Sequence, residues 1–127
     1  MSRYVDGFVI PIPTRNLGRY RKIARMACLL WTEHGALDYH ECVLEDPATP
    51  SAPPFPQAIR AKRGETVVFA WIAFKSRAHR DRVNARVMAD PRLSTICDPR
   101  KMPFDPRRML YGGFARFVGS DEMRRRR

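Results

Sequence analysis

Glu41, in the stretch Tyr39–Cys42 (YHEC), is the side chain best suited to act as a base. In an extended segment Tyr39 and Glu41 share one face, and His40 and Cys42 share the other. A carboxylate facing a mostly apolar interior gains a raised pKa and can take up a proton. Asp6, inside the apolar run that starts at Tyr4, is the second such carboxylate, because a charge there must be paired or exposed. Tyr111 could donate a hydrogen bond to a developing oxyanion, which completes a catalytic set of Glu41, Asp6 and Tyr111. For ligand binding the residues are Arg80, His79 and Trp71. With Val83 at the centre of a buried helical stripe, His79 and Arg80 fall about 40° and 60° away, on opposite shoulders. Arg80 carries a fixed charge and suits a carboxylate or enolate, while Trp71 would form an apolar wall. Each has a quieter reading as well: Glu41 paired to an arginine, His79 hydrogen-bonded at an edge, Arg80 reaching to water along its stem. His34, beside Gly35, reads as a helix-end residue. His34, His40, Glu41 and Cys42 cannot place three ligands on one face, so no metal is expected.

The elements that would position these residues follow from periodicity. Tyr4–Ile10 is rich in β-branched and aromatic residues and reads as a strand, ended by Pro11 and Pro13. Thr14 can cap a helix whose apolar stripe is Leu17, Tyr20, Ala24, Ala27, Cys28 and Trp31, with Gly35 as its stop. Leu37–Leu44 alternates as a second strand. Asp46–Pro56 holds five prolines and must be a stiff extended loop. Gln57–Lys62 is read as a short extra strand. Thr66–Lys75 (TVVFAWIAFK) is the strongest strand and is apolar on both faces, so both must be covered. Ser76 caps a second helix running to about Ala89, and a proline-bearing loop leads to a last strand within Arg108–Val118. The order is strand, helix, strand, strand, helix, strand. This is the α+β ferredoxin-like arrangement, one antiparallel sheet with two helices on one face. The simplest cover for the other face is a second copy laid sheet to sheet, a homodimeric α/β barrel. A modest pocket between sheet and helices would be roofed by the Arg100–Arg108 loop.

The last strand, RMLYGGFARFV, resembles the RNA-reading strand of an RNA-recognition motif, and the net charge is +11. Parity opposes that reading. Tyr111 shares a face with Gly113 and Ala115, whereas Phe114 shares the other with Leu110 and Gly112, so the two rings cannot form one stacking platform. Four of the positive charges are the terminal Arg124–Arg127, read with residues 119–127 as a solvated tail beyond a single domain at 1–118. The sequence therefore does not favour a nucleic-acid partner. No apolar run is long enough to cross a membrane. Three cysteines without a C-x-x-C pair point to a reducing cytoplasm.

Several stretches resemble the YbaA-like family of uncharacterised bacterial proteins. They are YVDGF (Tyr4–Phe8), EC (Glu41, Cys42), ETVVFAWI (Glu65–Ile72), SRAHRDRVNARVMADPR (Ser76–Arg92), MPFD (Met102–Asp105) and RMLYGGF (Arg108–Phe114). The resemblance spans Tyr4 to about Val118, and the chain departs from it in the proline loop and the arginine tail. It implies the dimeric α/β-barrel superfamily, which spans cofactor-independent oxygenases, isomerases, haem enzymes and plain binding or stress proteins. Fold alone does not choose among them. The expected function is binding of a small molecule without a cofactor, with oxygenase or isomerase chemistry as an extension. The alternatives are a non-catalytic binding or stress-associated module and non-specific RNA binding.

Overall fold

The computed structural model describes residues 2–48 and 50–124. Four strands, β1 (Tyr4–Pro13), β2 (Asp38–Val43), β3 (Glu65–Phe74) and β4 (Leu110–Ala115), form one antiparallel sheet in the order β2-β3-β1-β4. The two long helices are α1 (Leu17–Glu33), between β1 and β2, and α3 (Arg77–Ala89), between β3 and β4. Three short helices complete the chain: α2 (Phe55–Ala58), α4 (Arg92–Ile96) and α5 (Ser120–Arg124). Both long helices lie over the same face of the sheet. That face carries the even-numbered residues of β1, which stand opposite Phe74, Ile72, Ala70 and Val68 on β3.

Two groups of buried side chains fill the space beneath the helices. Leu30, Ala36, Ile72, Phe74, Val83 and Val87 join the end of α1 and the α3 stripe to the sheet. Ile10, Ile12, Tyr20 and Val68 join the start of α1 to the other end of the sheet. Phe8 packs against both groups. Each fully buried aliphatic side chain contributes about 1.5–3 kcal/mol, so these two clusters, rather than helix propensity, hold α1 and α3 in place.

Local signals set most boundaries. Ser76 Oγ accepts from His79 N at 3.1 Å and starts α3. Gly35, at a φ of 113°, ends α1 just after His34. Three expectations need correction. β1 does not stop at Pro11 but runs through Pro13. Thr14 N donates to Gly64 O at 2.9 Å, so even-numbered residues pair toward β3. Pro11 and Pro13 have the other parity and point toward β4, whose pairing ends at Val9; no ladder bond is lost there. Gln57–Lys62 is not a strand, because Pro56 early in α2 fits a helical first turn. Thr14 makes no side-chain cap, and a single 3₁₀ turn, Thr14–Asn16, leads into α1. Residues 120–124 of the expected tail form α5, tied back by Arg116 to Asp121 at 2.7 Å. Residues 125–127 lie outside the described residues. Among the described residues, no helix is long and apolar enough to cross a membrane.

Candidate functional site

Between the two core clusters lies a cavity of about 380 Å³. The sheet supplies its floor through Phe8, Tyr39, Glu41 and Ala70, and α1 one wall through Tyr20, Ala27 and Trp31. Met102, Phe104 and Met109, in the loop before β4, form the roof. That loop is fastened to α1 and the turn before it: Asn16 Nδ2 donates to Pro103 O at 2.8 Å, and Arg19 donates to Lys101 O at 3.1 Å. At its far end Arg108 grips both carboxylate oxygens of Glu65, at 2.7 and 2.9 Å. Trp31 is fixed by its indole N–H, which donates to Asn84 Oδ1 at 3.0 Å.

Glu41 is the one carboxylate in this lining. The phenol of Tyr20 donates to its Oε1, and that of Tyr39 to its Oε2 at 2.8 Å. Burial, and next the negative charge of Glu41, push both tyrosine pKa values far upward, so both remain donors. Burial likewise raises the pKa of Cys97, which lines the cavity as a neutral thiol. Among the described residues no Lys, Arg or His lies within ion-pair distance of Glu41, so the expected arginine partner is not there. A second space of about 380 Å³ adjoins the first and shares Tyr20, Ala24 and Glu41 with it. The Tyr20–Glu41 bond is the partition between them.

The remaining polar candidates on this face form a separate cluster. Arg80 Nη1 lies 2.7 Å from Asp6 Oδ1 and 2.8 Å from the Tyr111 hydroxyl, and its Nε lies 2.8 Å from Asp81. Asp6 is only 1% exposed. The guanidinium also lies over the Tyr4 ring, 5.0 Å from its centroid. Burial works against the charge on Arg80, but Asp81 and Asp6 outweigh it and its pKa is raised. Gly113 makes room for this cluster: a Cβ there would run into the Tyr4 hydroxyl and lie 3.1 Å from Arg80 Nη1.

Glu41, Asp6, Tyr111 and Arg80 thus share the helix-covered face but do not share a cavity. Phe8, whose ring is 5.0 Å from that of Tyr111, stands between the clusters. Arg80 is not an open anion site, since two aspartates already neutralise it, and Asp6 is not a free base. Trp71 is on the opposite face. It pairs with Gly7 and His40, and its ring lies 4.9 Å from His40 and 5.7 Å from Phe69, so it cannot wall this cavity. His79 is absorbed by the fold: its Nδ1 accepts from Lys75 N at 2.9 Å, and its other nitrogen faces the Gly35 backbone. His34 bonds Asp90 at 2.8 Å. Sequence reasoning missed the role of Tyr20, which looked like one more member of the α1 apolar stripe. Tyr39 was visible through its shared parity with Glu41.

The profile of the family described as Protein of unknown function (DUF1428) matches residues 3–106. The uncharacterised protein YbaA of Escherichia coli K12 is 40% identical over 116 residues, covering 91% of this chain and 97% of that protein. The chain belongs to the DUF1428 family. YbaA of Shigella flexneri matches to the same extent. Among solved structures, a nipsnap family protein of unknown function from Agrobacterium tumefaciens aligns with a TM-score of 0.56 at 16% identity, covering 92% of each chain. An uncharacterised NIPSNAP domain protein from Burkholderia xenovorans aligns with a TM-score of 0.54 at 17% identity, covering 91% of this chain and 98% of its own. At such identities the likeness is one of fold, and it fits the ferredoxin-like arrangement of this DUF1428 chain.

Proposed function

We propose that this protein is a homodimeric small-molecule-binding protein whose ligand occupies the cavity at Glu41. The observation that carries the reading is a half-buried carboxylate, oriented by two phenols, facing a roofed apolar cavity of a size usual for ligand sites. Binding without chemistry fits better than oxygenase or isomerase activity. The other polar groups of the lining are the phenols of Tyr20 and Tyr39, both spent on Glu41, and the neutral thiol of Cys97, while Arg80 and Tyr111 are engaged on the far side of Phe8. Three free thiols suit a reducing, cytoplasmic setting. The test is titration with the neutral fluorophore phenylnaphthylamine. Saturable fluorescence enhancement at one site per chain is expected, with loss in Ala24→Trp, which fills the space beside Tyr20. No saturation, or equal enhancement in a folded Ala24→Trp protein, would overturn the reading.

The homodimer rests on the outward face of the sheet. Phe69, Leu110 and Phe114 are 44%, 57% and 61% exposed there, beside Trp71 and Val9. No outward-facing strand position carries Lys or Arg, so the surface suits a second copy of itself better than the phosphates of RNA. Light scattering should give twice 14.7 kDa. Phe69→Asp should give the monomer, because it would place an unpaired charge in the interface. A wild-type monomer across micromolar concentrations would remove this part of the proposal.

A further inference from the structure

We infer that the ligand of the Glu41 cavity is an organic cation, a compact alkyl- or arylammonium; this rests on the cavity being a binding site. A carboxylate half-buried in an apolar lining has two needs, hydrogen bonds and counter-charge. Tyr20 and Tyr39 meet the first, one phenol on each oxygen. Neither brings charge, and the cavity lining contains no Lys, Arg or His. A neutral ligand with a hydroxyl would add a third hydrogen bond where two already exist. An anion would face Glu41 directly. A cation supplies what is missing.

The walls favour the same occupant. Phe8, Tyr20, Trp31, Tyr39 and Phe104 bring five aromatic rings to the lining around Glu41. Ring faces attract a desolvated ammonium through the negative charge of their π faces. The positive net charge of the chain opposes this at long range. Salt screens that field within about 8 Å at physiological ionic strength. Arg21 lines the adjoining space rather than this cavity, on the other side of the Tyr20–Glu41 partition.

Three near-isosteric probes separate the possibilities by calorimetric titration of the intact protein: naphthylmethylammonium, naphthylmethanol and naphthoate. The cation should bind at least about tenfold more tightly than the alcohol, a preference of the size expected for a desolvated cation among rings. Naphthoate should be the weakest of the three. In Glu41→Gln the cation and the alcohol should converge to within about twofold, since the charge is gone and the shape remains. Benzyltrimethylammonium, which has charge but no N–H, should also bind, showing that charge rather than donation is read. Alcohol binding as tight as the cation in the wild type overturns the inference while leaving the cavity reading intact. Failure of all the probes and of phenylnaphthylamine removes both. The wild-type ratio decides alone if Glu41→Gln does not fold.

Discussion

Two polar clusters lie under the same helices, within one side chain's width of each other, and they are built to opposite plans. Around Arg80, the cation is fully paired: Asp6 and Asp81 flank the guanidinium, Tyr111 shares it, and the Tyr4 ring lies beneath it. Gly113 leaves the cluster its room, since a Cβ there would meet the Tyr4 hydroxyl and Arg80 Nη1. Around Glu41, each oxygen has its hydrogen bond but the charge has no partner, and space remains on both sides. The first arrangement ties α3 to β1 and β4. The second leaves a carboxylate available to something that is not part of the chain. Polar residues inside a fold are therefore not alike as functional candidates. What separates them is whether the chain itself supplies the counter-charge.

The comparison is most easily broken at Asp6. Asp6→Ala leaves Arg80 buried with only exposed Asp81 and a phenol as partners, and should cost about 3 kcal/mol in urea unfolding, the low end for breaking a buried pair. A cost below that of an ordinary surface substitution would mean the cluster does not hold the fold. Next in size is Gly113→Ala, expected to lose about 1–3 kcal/mol by overpacking. Tyr4→Phe in the same chain should recover part of that loss, since it removes the hydroxyl in the way; no recovery would place the strain elsewhere.

Titration of His79, beside Arg80 on α3, gives a smaller effect. Burial first, then the charges of Lys75 and Arg82, hold its folded pKa below the ordinary 6.5. The unfolded chain thus binds more protons between those two values, and stability should fall as pH drops from 6.5 through the folded pKa. His79→Asn, which keeps an acceptor for Lys75 N, should flatten that slope in a urea series; an unchanged slope would assign it to another group. The smallest effect is expected at the other cluster. Glu41→Gln without ligand should shift stability by less than about 1 kcal/mol, because it removes an uncompensated charge while keeping an acceptor. A loss as large as that of Asp6→Ala would erase the contrast between the two sites.

Much of this arrangement is legible in the sequence, and the failures have a common cause. The Ser76 cap, the Gly35 stop and the opposite parity of Tyr111 and Phe114 are local properties, read within a few residues. Tyr39 and Glu41 share a face for the same reason. Trp71 went astray because β3 is apolar on both sides. Alternation then says which residues go together but not which set the helices cover. Arg80 looked free because its partner Asp6 is 74 positions away, beyond any local pattern. The length of β1 depends on where a neighbouring strand stops, which no proline rule applied to one segment can foresee.

One small feature on the outward face constrains how this sequence can change. The ring of Phe114 lies over two glycines that pair with each other across strands: a Cβ on Gly7 would come within 3.3 Å of it, and one on Gly112 within 3.2 Å. The three positions therefore behave as one heritable character. With the ring present, a methyl at either glycine must displace it. With Phe114 reduced to alanine, the same methyl meets nothing else of its own chain within 4 Å and covers backbone the ring used to cover. Substitution at either glycine is accordingly coupled to the ring, which must give by a few tenths of an ångström to admit a methyl.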